Sequence, residues 1–129
     1  MIVVDTSVWV EALRGRQPLA GQIAEALDRD VVALPAPVRI ELLSGAKRTE
    51  RIQLRRVLSA LPLLMPNGGT WTRIEDWVST GAAAAHRFAV ADLLVAAIAW
   101  ENDCAVWSLD RDFGRLANLG LIRATDGAL

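Results

Sequence analysis

The sequence is poor in the residues that build covalent cross-links and zinc sites. Its 129 residues include one cysteine, Cys104, one histidine, His86, and no tyrosine. One cysteine excludes an intramolecular disulfide, and one cysteine with one histidine is too few for a thiolate-rich zinc site. A metal site would have to use oxygen ligands, which favours Mg²⁺ or Mn²⁺. The low cysteine content also predicts a reducing, cytoplasmic location.

Long apolar runs are absent as well. Hydrophobic residues make up 53% of the chain, but they occur in short runs, and none approaches the roughly 18 residues of a membrane span. We therefore expect no membrane segment. The first residues lack a basic leader, so we expect no signal peptide. The length and composition predict one domain, residues 1–129, with a single hydrophobic core.

Short apolar runs alternate with segments of helical periodicity. The predicted strands are residues 2–4, 31–34, 63–65 and 105–107, with a final strand at Leu121-Ile122. The first three predicted helices begin at a Thr6 or Ser7 cap, after Pro18 and near Pro37. The fourth runs from Thr49 to Leu61, and the fifth begins at Thr70 or Thr72, after a turn at residues 67–69. The sixth runs from Val90 to Glu101, and a short seventh begins before Phe113. Residues 81–89 have no clear pattern. This alternation predicts an α/β domain with a mostly parallel sheet.

Four carboxylates fall where such a fold collects ligands, beyond the carboxyl ends of its strands. Asp5 follows the first predicted strand, and Asp110 follows the fourth after two residues. Glu41 lies about one turn into the helix after the second strand, within the apolar residues 40–43, and Asp92 lies in the first turn of another helix. Clustered carboxylates repel each other unless a cation offsets their charge. The spacing therefore indicates a divalent-metal site, with helix capping by Asp5 and Asp92 as the alternative.

A basic stretch stands out from an otherwise acidic chain. Residues 39–56 hold six basic residues and two acidic ones, although the net charge of the whole chain is −1. The basic residues are Arg39, Lys47, Arg48, Arg51, Arg55 and Arg56. Such a stretch can bind phosphate, and a solvated helix face is an equally good interpretation.

The aromatic residues and the histidine have simpler interpretations. The chain has five tryptophans, most of them within apolar helix or strand patterns. Packing in the core or in a dimer therefore explains them better than stacking on nucleic-acid bases. His86 is interpreted as structural or exposed rather than as an RNA contact.

Four segments resemble, in order, the four motifs of PIN-domain ribonucleases. They are Met-Ile-Val-Val-Asp5-Thr-Ser7, Pro35-Ala-Pro-Val-Arg-Ile-Glu41, Ala91-Asp92-Leu-Leu-Val-Ala-Ala-Ile-Ala99, and Trp107-Ser-Leu-Asp110-Arg-Asp112-Phe113. The segment before Asp92 lacks a glycine often found there in the family. In its size and in the residues of its motifs, the chain resembles the VapC toxins of bacterial toxin–antitoxin pairs.

The resemblance implies a PIN-like three-layer α/β/α sandwich with a central, mostly parallel sheet. It also implies a magnesium-dependent endoribonuclease that cleaves RNA with metal-activated water and leaves a 5′-phosphate and a 3′-hydroxyl. A homodimer and a VapB-type antitoxin that blocks the site are further implied partners. Within this function, Arg39, Lys47, Arg48 and Arg51 become candidates for binding RNA.

The resemblance also assigns roles to single residues. Asp5, Glu41 and Asp92 match the three main acidic positions, and Asp110 matches the more variable fourth. All four are expected to bind metal and to be catalytic. Ser7 matches a hydroxyl that supports the first carboxylate. Because both lie in Asp-Arg-Asp-Phe, Asp112 rivals Asp110, and we assign Asp112 the role of a helper or helix cap.

Two other functions are weaker on the same residues. A receiver-like phosphoacceptor domain also gathers acids at strand ends, but it needs a lysine near its last strand, and no lysine follows Lys47. A catalytically inactive PIN-like module that only binds RNA or protein would not need every acidic position, and all are present. Transfer, ribosomal and messenger RNA are the alternative targets of the expected ribonuclease.

Overall fold

The computed structural model describes residues 1–127, and its helices and strands alternate along the chain. The strands are β1 (Ile2–Val4), β2 (Val32–Pro35), β3 (Leu63–Leu64), β4 (Ala105–Trp107) and β5 (Ala124–Thr125). The helices are α1 (Thr6–Leu13), α2 (Leu19–Asp28), α3 (Ala36–Gly45), α4 (Arg48–Leu58), α5 (Gly68–Ala83), α6 (Val90–Glu101) and α7 (Arg111–Asn118). Within the described residues, no helix is both long enough and apolar enough to cross a membrane.

The five strands form one parallel sheet in the order β3-β2-β1-β4-β5. Every residue of β1 and β2 is buried. Because successive side chains of a strand point to opposite faces, both faces of the sheet must be covered. Helices provide that cover, and the predicted α/β/α sandwich is confirmed.

The strand order reverses between β1 and β4. The chain adds β2 and β3 on one side of β1, then returns to place β4 and β5 on the other side. In the ladder, Val4 lies opposite Trp107, so β1 and β4 end at the same level. The residues that follow these two strands therefore share one crevice, where open parallel sheets bind their ligands.

Most predicted elements are confirmed, and α6 has the predicted bounds. The last strand was predicted wrongly at Leu121-Ile122. The structure uses Leu121 to close the turn after α7, through its N–H to the carbonyl of Leu116, and buries Ile122 in the core. The less apolar Ala124–Thr125 pairs with β4 instead.

Two helix starts also differ from the prediction. The predicted turn at residues 67–69 is the start of α5, because the Asn67 side chain accepts the Thr70 N–H while the Thr70 hydroxyl accepts the Asn67 N–H. This reciprocal capping box fixes the first turn despite its glycines. Helix α1 has Asp5, not Thr6 or Ser7, at its N-cap position, and the Asp5 carboxylate forms no capping bond.

Helix α4 also ends earlier than predicted, at Leu58 rather than Leu61. Of the tryptophans, Trp9, Trp77 and Trp107 are buried as expected, and Trp71 and Trp100 are half exposed.

Candidate active site

The centre of the site is Asp5, placed at the end of β1 by the backbone ladder. Its N–H donates to the carbonyl of Trp107 at 2.9 Å, which ties the end of β1 to the end of β4. The residue is only 8% exposed. A carboxylate this buried needs hydrogen-bond donors, and the structure supplies them from both strand ends.

Two serine hydroxyls hold the Asp5 carboxylate. Ser7 Oγ donates to Asp5 Oδ2 at 3.0 Å, and Ser108 Oγ donates to the same oxygen at 2.8 Å. Each serine oxygen also accepts a backbone N–H at 3.0 Å: Ser7 that of Leu109, across the crevice, and Ser108 that of Asp110, within its own turn. Since both hydroxyls bond Oδ2, the other oxygen of Asp5 receives no side-chain donor from residues 1–127.

The sequence prediction included Ser7 but missed Ser108. Ser108 directly follows β4, and a serine after a strand ordinarily suggests a turn. The signal that could have revealed it is its place within the fourth motif, two residues before Asp110. Its contact with Asp5 depends on β1 and β4 being neighbours, which strand order alone decides.

Asp92 lies in the first turn of α6 and is surrounded by other carboxylates. Its pKa is raised from 3.8 to about 6, first by burial and then by the negative charges of Asp110, Asp5, Asp112 and Glu41. Within residues 1–127, no side chain donates a hydrogen bond to Asp92. The charges of the other predicted acidic residues therefore all act on Asp92.

Asp110, and not Asp112, caps helix α7, so the cap alternative for Asp112 is wrong. Asp110 is the N-cap of α7, since its Oδ1 accepts the Asp112 N–H at 2.9 Å. Asp112 does not cap the helix. Its Oδ1 instead accepts from Arg115 at 2.6 Å and lies 3.0 Å from His86 Nε2. Asp110 is the exposed member of the pair.

His86 is partly buried and contacts two other segments of the protein. The residue belongs to the connection between α5 and α6, residues 84–89. Its ring packs against Phe88 with centroids 4.5 Å apart, and its Nε2 contacts Asp112 at the start of α7. His86 thus links the segment that leads to Asp92 with the helix that follows Asp110.

Glu41 is more exposed than its apolar neighbours suggested. Helix α3 buries Val38 and Leu42 and leaves both Ile40 and Glu41 exposed to solvent. Burial and three aspartates raise the pKa of Asp92 more than the charge of Glu41 does. Glu41, which is exposed, therefore lies at the outer edge of the acidic crevice.

The predicted RNA-binding residues fall into two pairs. Arg39 donates to Ser59 Oγ at 3.1 Å, and Arg51 donates to the carbonyls of Leu43 and Ala46, both at 3.3 Å. These two arginines therefore join α3 to α4. Lys47 and Arg48, at the start of α4, are exposed.

Comparison with known proteins shows which family this chain belongs to. A family model described as the PIN domain matches residues 2–119. Ribonuclease VapC18 of Mycobacterium tuberculosis is 31% identical over 119 residues, which cover 88% of this chain and 85% of the relative. The chain belongs to the VapC group of the PIN-domain family.

Other relatives support this placement over nearly the full chain. Ribonuclease VapC11 of Mycobacterium tuberculosis is 28% identical to this PIN domain over 96% of the chain and 97% of the relative. The solved structure of VapBC2 from Rickettsia felis, bound to a DNA fragment from its promoter, has a TM-score of 0.76. It is 17% identical, covers 97% of this chain and 98% of its own, and supports the fold.

The donor set of this PIN domain fits a hard divalent cation. Within residues 1–127, no three acidic, histidine or cysteine side chains form a ready-made metal cage. Mg²⁺ commonly keeps several of its waters and binds through only one or two carboxylates. Asp5 and Asp92, which carry oxygen ligands and excess negative charge, therefore suit Mg²⁺ or Mn²⁺ without a closed cage.

Proposed function

We propose that this PIN domain is a metal-dependent endoribonuclease and the toxin of a VapBC-type toxin–antitoxin pair, acting in the cytoplasm. The observation that carries the proposal is the convergence of Asp5, Asp92, Asp110 and Glu41 on the crevice between β1 and β4. The ribonuclease names of its curated relatives support the same activity.

The protein's own contribution is to hold and orient. Ser7 and Ser108 fix Asp5, and the start of α6 brings Asp92 to face it, so these two would hold the cation, with Asp110 and Glu41 completing the acidic lining. When bound, Mg²⁺ or Mn²⁺ supplies an activated water and offsets the charge on the phosphate. Hydrolysis of the RNA phosphodiester by that water would leave a 5′-phosphate and a 3′-hydroxyl.

The basic residues on α4 and at its N-cap attract the RNA. Lys47, Arg48, Arg55 and Arg56 are exposed, so they can contact phosphates, and the affinity for RNA should fall as salt rises. Arg39 and Arg51 already bond to oxygens of the protein. Their part in binding RNA is therefore to keep α4 in place, with phosphate contact as a secondary role.

A VapB-type antitoxin and a second copy of this chain are the proposed protein partners. The antitoxin follows from the likeness to VapBC proteins. For the homodimer, Trp71 and Val78 offer support: both are about half exposed, and their spacing of seven places them on one face of α5. Exposed apolar surface of this kind favours association.

The test is cleavage of structured RNA by the 129-residue protein with and without Mg²⁺. Asp5→Ala and Asp92→Ala should each lower kcat/KM by at least about 100-fold, the scale seen when groups that stabilise developing charge are lost. Asp76→Ala, an exposed aspartate on α5, is the matched control and should cut normally. Undiminished cleavage by both site variants would refute the assignment. Calorimetry that shows no divalent binding would favour a non-catalytic binding module instead.

A further inference from the structure

The segment that leads to Asp92 is packed closely against the end of α5. The His86 N–H donates to the carbonyl of Gly81 at 2.9 Å. A Cβ atom at Gly81 would lie 2.9 Å from the His86 carbonyl oxygen and 3.1 Å from the Phe88 ring, so glycine is needed for this close approach. Phe88 itself is buried in the core. Packing therefore sets the path of the connection between α5 and α6 as far as Phe88.

Helix α6 itself begins without a side-chain cap. Its N-cap residue is Ala89, whose methyl group cannot accept a backbone N–H. Asp92 lies in the first turn of this helix, and its carboxylate is held by no side-chain donor from residues 1–127. Asp5 differs, because Ser7 and Ser108 bond to it directly. The position of the Asp92 carboxylate therefore depends on where the surrounding structure places the start of α6.

A hydrogen bond between His86 and Asp112 joins the connection to the start of α7. Asp112 Oδ1 lies 3.0 Å from His86 Nε2 and accepts from Arg115 at 2.6 Å. An ionised carboxylate can only accept, so His86 Nε2 is the donor. Asp112 follows Asp110, the N-cap of α7, by two residues. The bond therefore ties the backbone that leads to Asp92 to the backbone that carries Asp110.

The exposure of this cluster indicates a local role rather than a global one. The side chains of His86 and Arg115 are 30% and 51% exposed, and ion pairs this open to solvent add little to overall stability. The negative charge of Asp112 nevertheless helps to raise the pKa of Asp92, so the cluster lies beside the acidic crevice. A cluster in this place can influence the geometry of the crevice without holding the fold together.

We propose that His86 and Arg115 are positioning residues, which act through Asp112 to set the separation of Asp92 and Asp110 in the crevice. Ser7 and Ser108 hold the Asp5 side of the crevice, and this cluster holds the opposite side. The inference rests on the proposed ribonuclease function and adds to it the residues that fix Asp92 through the backbone.

The test compares two replacements of His86 in the 129-residue protein, with structured RNA and Mg²⁺. His86→Phe keeps an aromatic ring beside Phe88 but removes the donor, whereas His86→Gln loses the ring and keeps an N–H donor near the position of Nε2. His86→Phe should lower kcat about tenfold, the scale of losing a partner that orients a metal ligand, and should leave KM for RNA within about twofold. His86→Gln should recover most of kcat. An unchanged kcat in His86→Phe, or a glutamine variant no better than the phenylalanine variant, would overturn the proposal.

Arg115 offers a second test with a matched control. Arg115→Ala should lower kcat by a smaller factor, about two- to fivefold, because His86 still holds Asp112. The control is Arg29→Ala, which removes an equally exposed arginine from an ion pair with Glu25 between α2 and β2, at the amino end of the sheet. This control should cut RNA normally. Equal losses in the two arginine variants would mean that the effect is not specific to the cluster.

A measurement without RNA separates this inference from the proposed activity. The Leu93 N–H bonds to the carbonyl of Ala89 in the first turn of α6, and its hydrogen exchange can be followed by NMR in the metal-free protein. His86→Phe should speed that exchange at least about fivefold while Tm stays within about 2 °C. If the unmodified protein cuts no RNA but the exchange responds, the positioning role stands and the ribonuclease proposal fails. If RNA is cut and neither kcat nor the exchange responds to His86→Phe, the positioning role is wrong and the ribonuclease proposal stands.

Discussion

Asp5 and Asp92 face the same crevice but are stabilised in opposite ways. Asp5 ends a central strand and receives two serine hydroxyls on one carboxylate oxygen. Asp92 lies in the first turn of a helix and receives no side-chain donor from residues 1–127. Its pKa is raised to about 6 by burial and then by the charges of four other carboxylates. The helix dipole favours its charge, yet burial and repulsion outweigh that favour.

The difference shows which part of the site the fold completes by itself. One oxygen of the Asp5 carboxylate is held by two hydroxyls before anything binds. The Asp92 carboxylate has no side-chain donor among residues 1–127, so a cation held by these two residues would mainly offset the charge of Asp92 and would be oriented mainly by Asp5. The Asp5 carboxylate is held in place by the protein. The Asp92 carboxylate is destabilised when charged, and a bound cation would relieve that destabilisation.

The largest expected effect comes from removing the charge at Asp92. Asp92→Asn should lower kcat/KM for RNA by roughly 100- to 1000-fold, the scale of losing a main charge-stabilising group. It should at the same time stabilise the protein in EDTA, because the unfavourable charge is gone. Asp5→Asn should lose as much activity without that gain, since its serines already stabilise the carboxylate. Equal changes in Tm for the two variants in EDTA would contradict the proposed difference between Asp5 and Asp92.

Ser108 comes next, because it acts on the cation only through Asp5. Ser108→Ala should lower activity or Mg²⁺ affinity by about 10- to 100-fold, the usual cost of removing a partner that orients a metal ligand. Ser108→Thr keeps the hydroxyl and should restore most of the loss. Kinetics and calorimetry on both variants would decide. A threonine variant as impaired as the alanine variant would show that packing, not the hydrogen bond, is what matters.

A smaller effect concerns pH. The pKa of Asp92 is raised in the folded protein, so folding favours its protonated form, and stability in EDTA should fall as pH rises from about 4 through about 6. Above that range the cost is constant, about 1 to 2 kcal/mol after allowing for partial exposure. Thermal unfolding of the unmodified protein and of Asp92→Asn between pH 4 and 8 tests this. Their Tm difference should widen up to pH 6 to 7, and Mg²⁺ should narrow it.

Much of this arrangement could be predicted from the sequence, because short connections leave little freedom. A β-branched run followed by Asp5 determines where β1 ends. A strongly apolar segment that starts at Val90 and is interrupted only by Asp92 determines where α6 begins. The acids at those ends then meet at the sheet edge once the strands are parallel. Helix α6 had the predicted bounds because its apolar residues begin and end with it, although its N-cap, Ala89, provides no side-chain cap.

The rest depended on contacts between distant segments. The role of Ser108 follows from the pairing of β1 with β4, and the link from His86 to Asp112 joins residues 26 apart. The position of β5 was mispredicted because hydrophobicity indicates burial, and Ile122 is indeed buried, but in a turn. Burial and sheet pairing coincide in most strands and diverge at this edge.

The smallest expected effect tests the basic flank against the acidic crevice. Arg48 is exposed at the start of α4, whereas Arg51 bonds to the carbonyls that end α3. Arg48→Ala should weaken RNA binding about two- to threefold and reduce the salt dependence of affinity by roughly one phosphate contact. Because its guanidinium also holds two backbone carbonyls, Arg51→Ala should in addition lower Tm. RNA affinity measured from 50 to 200 mM salt, together with Tm, separates the two variants. If the salt dependence of affinity were unchanged in Arg48→Ala, α4 would not contact RNA, and the acidic crevice would act without this helix.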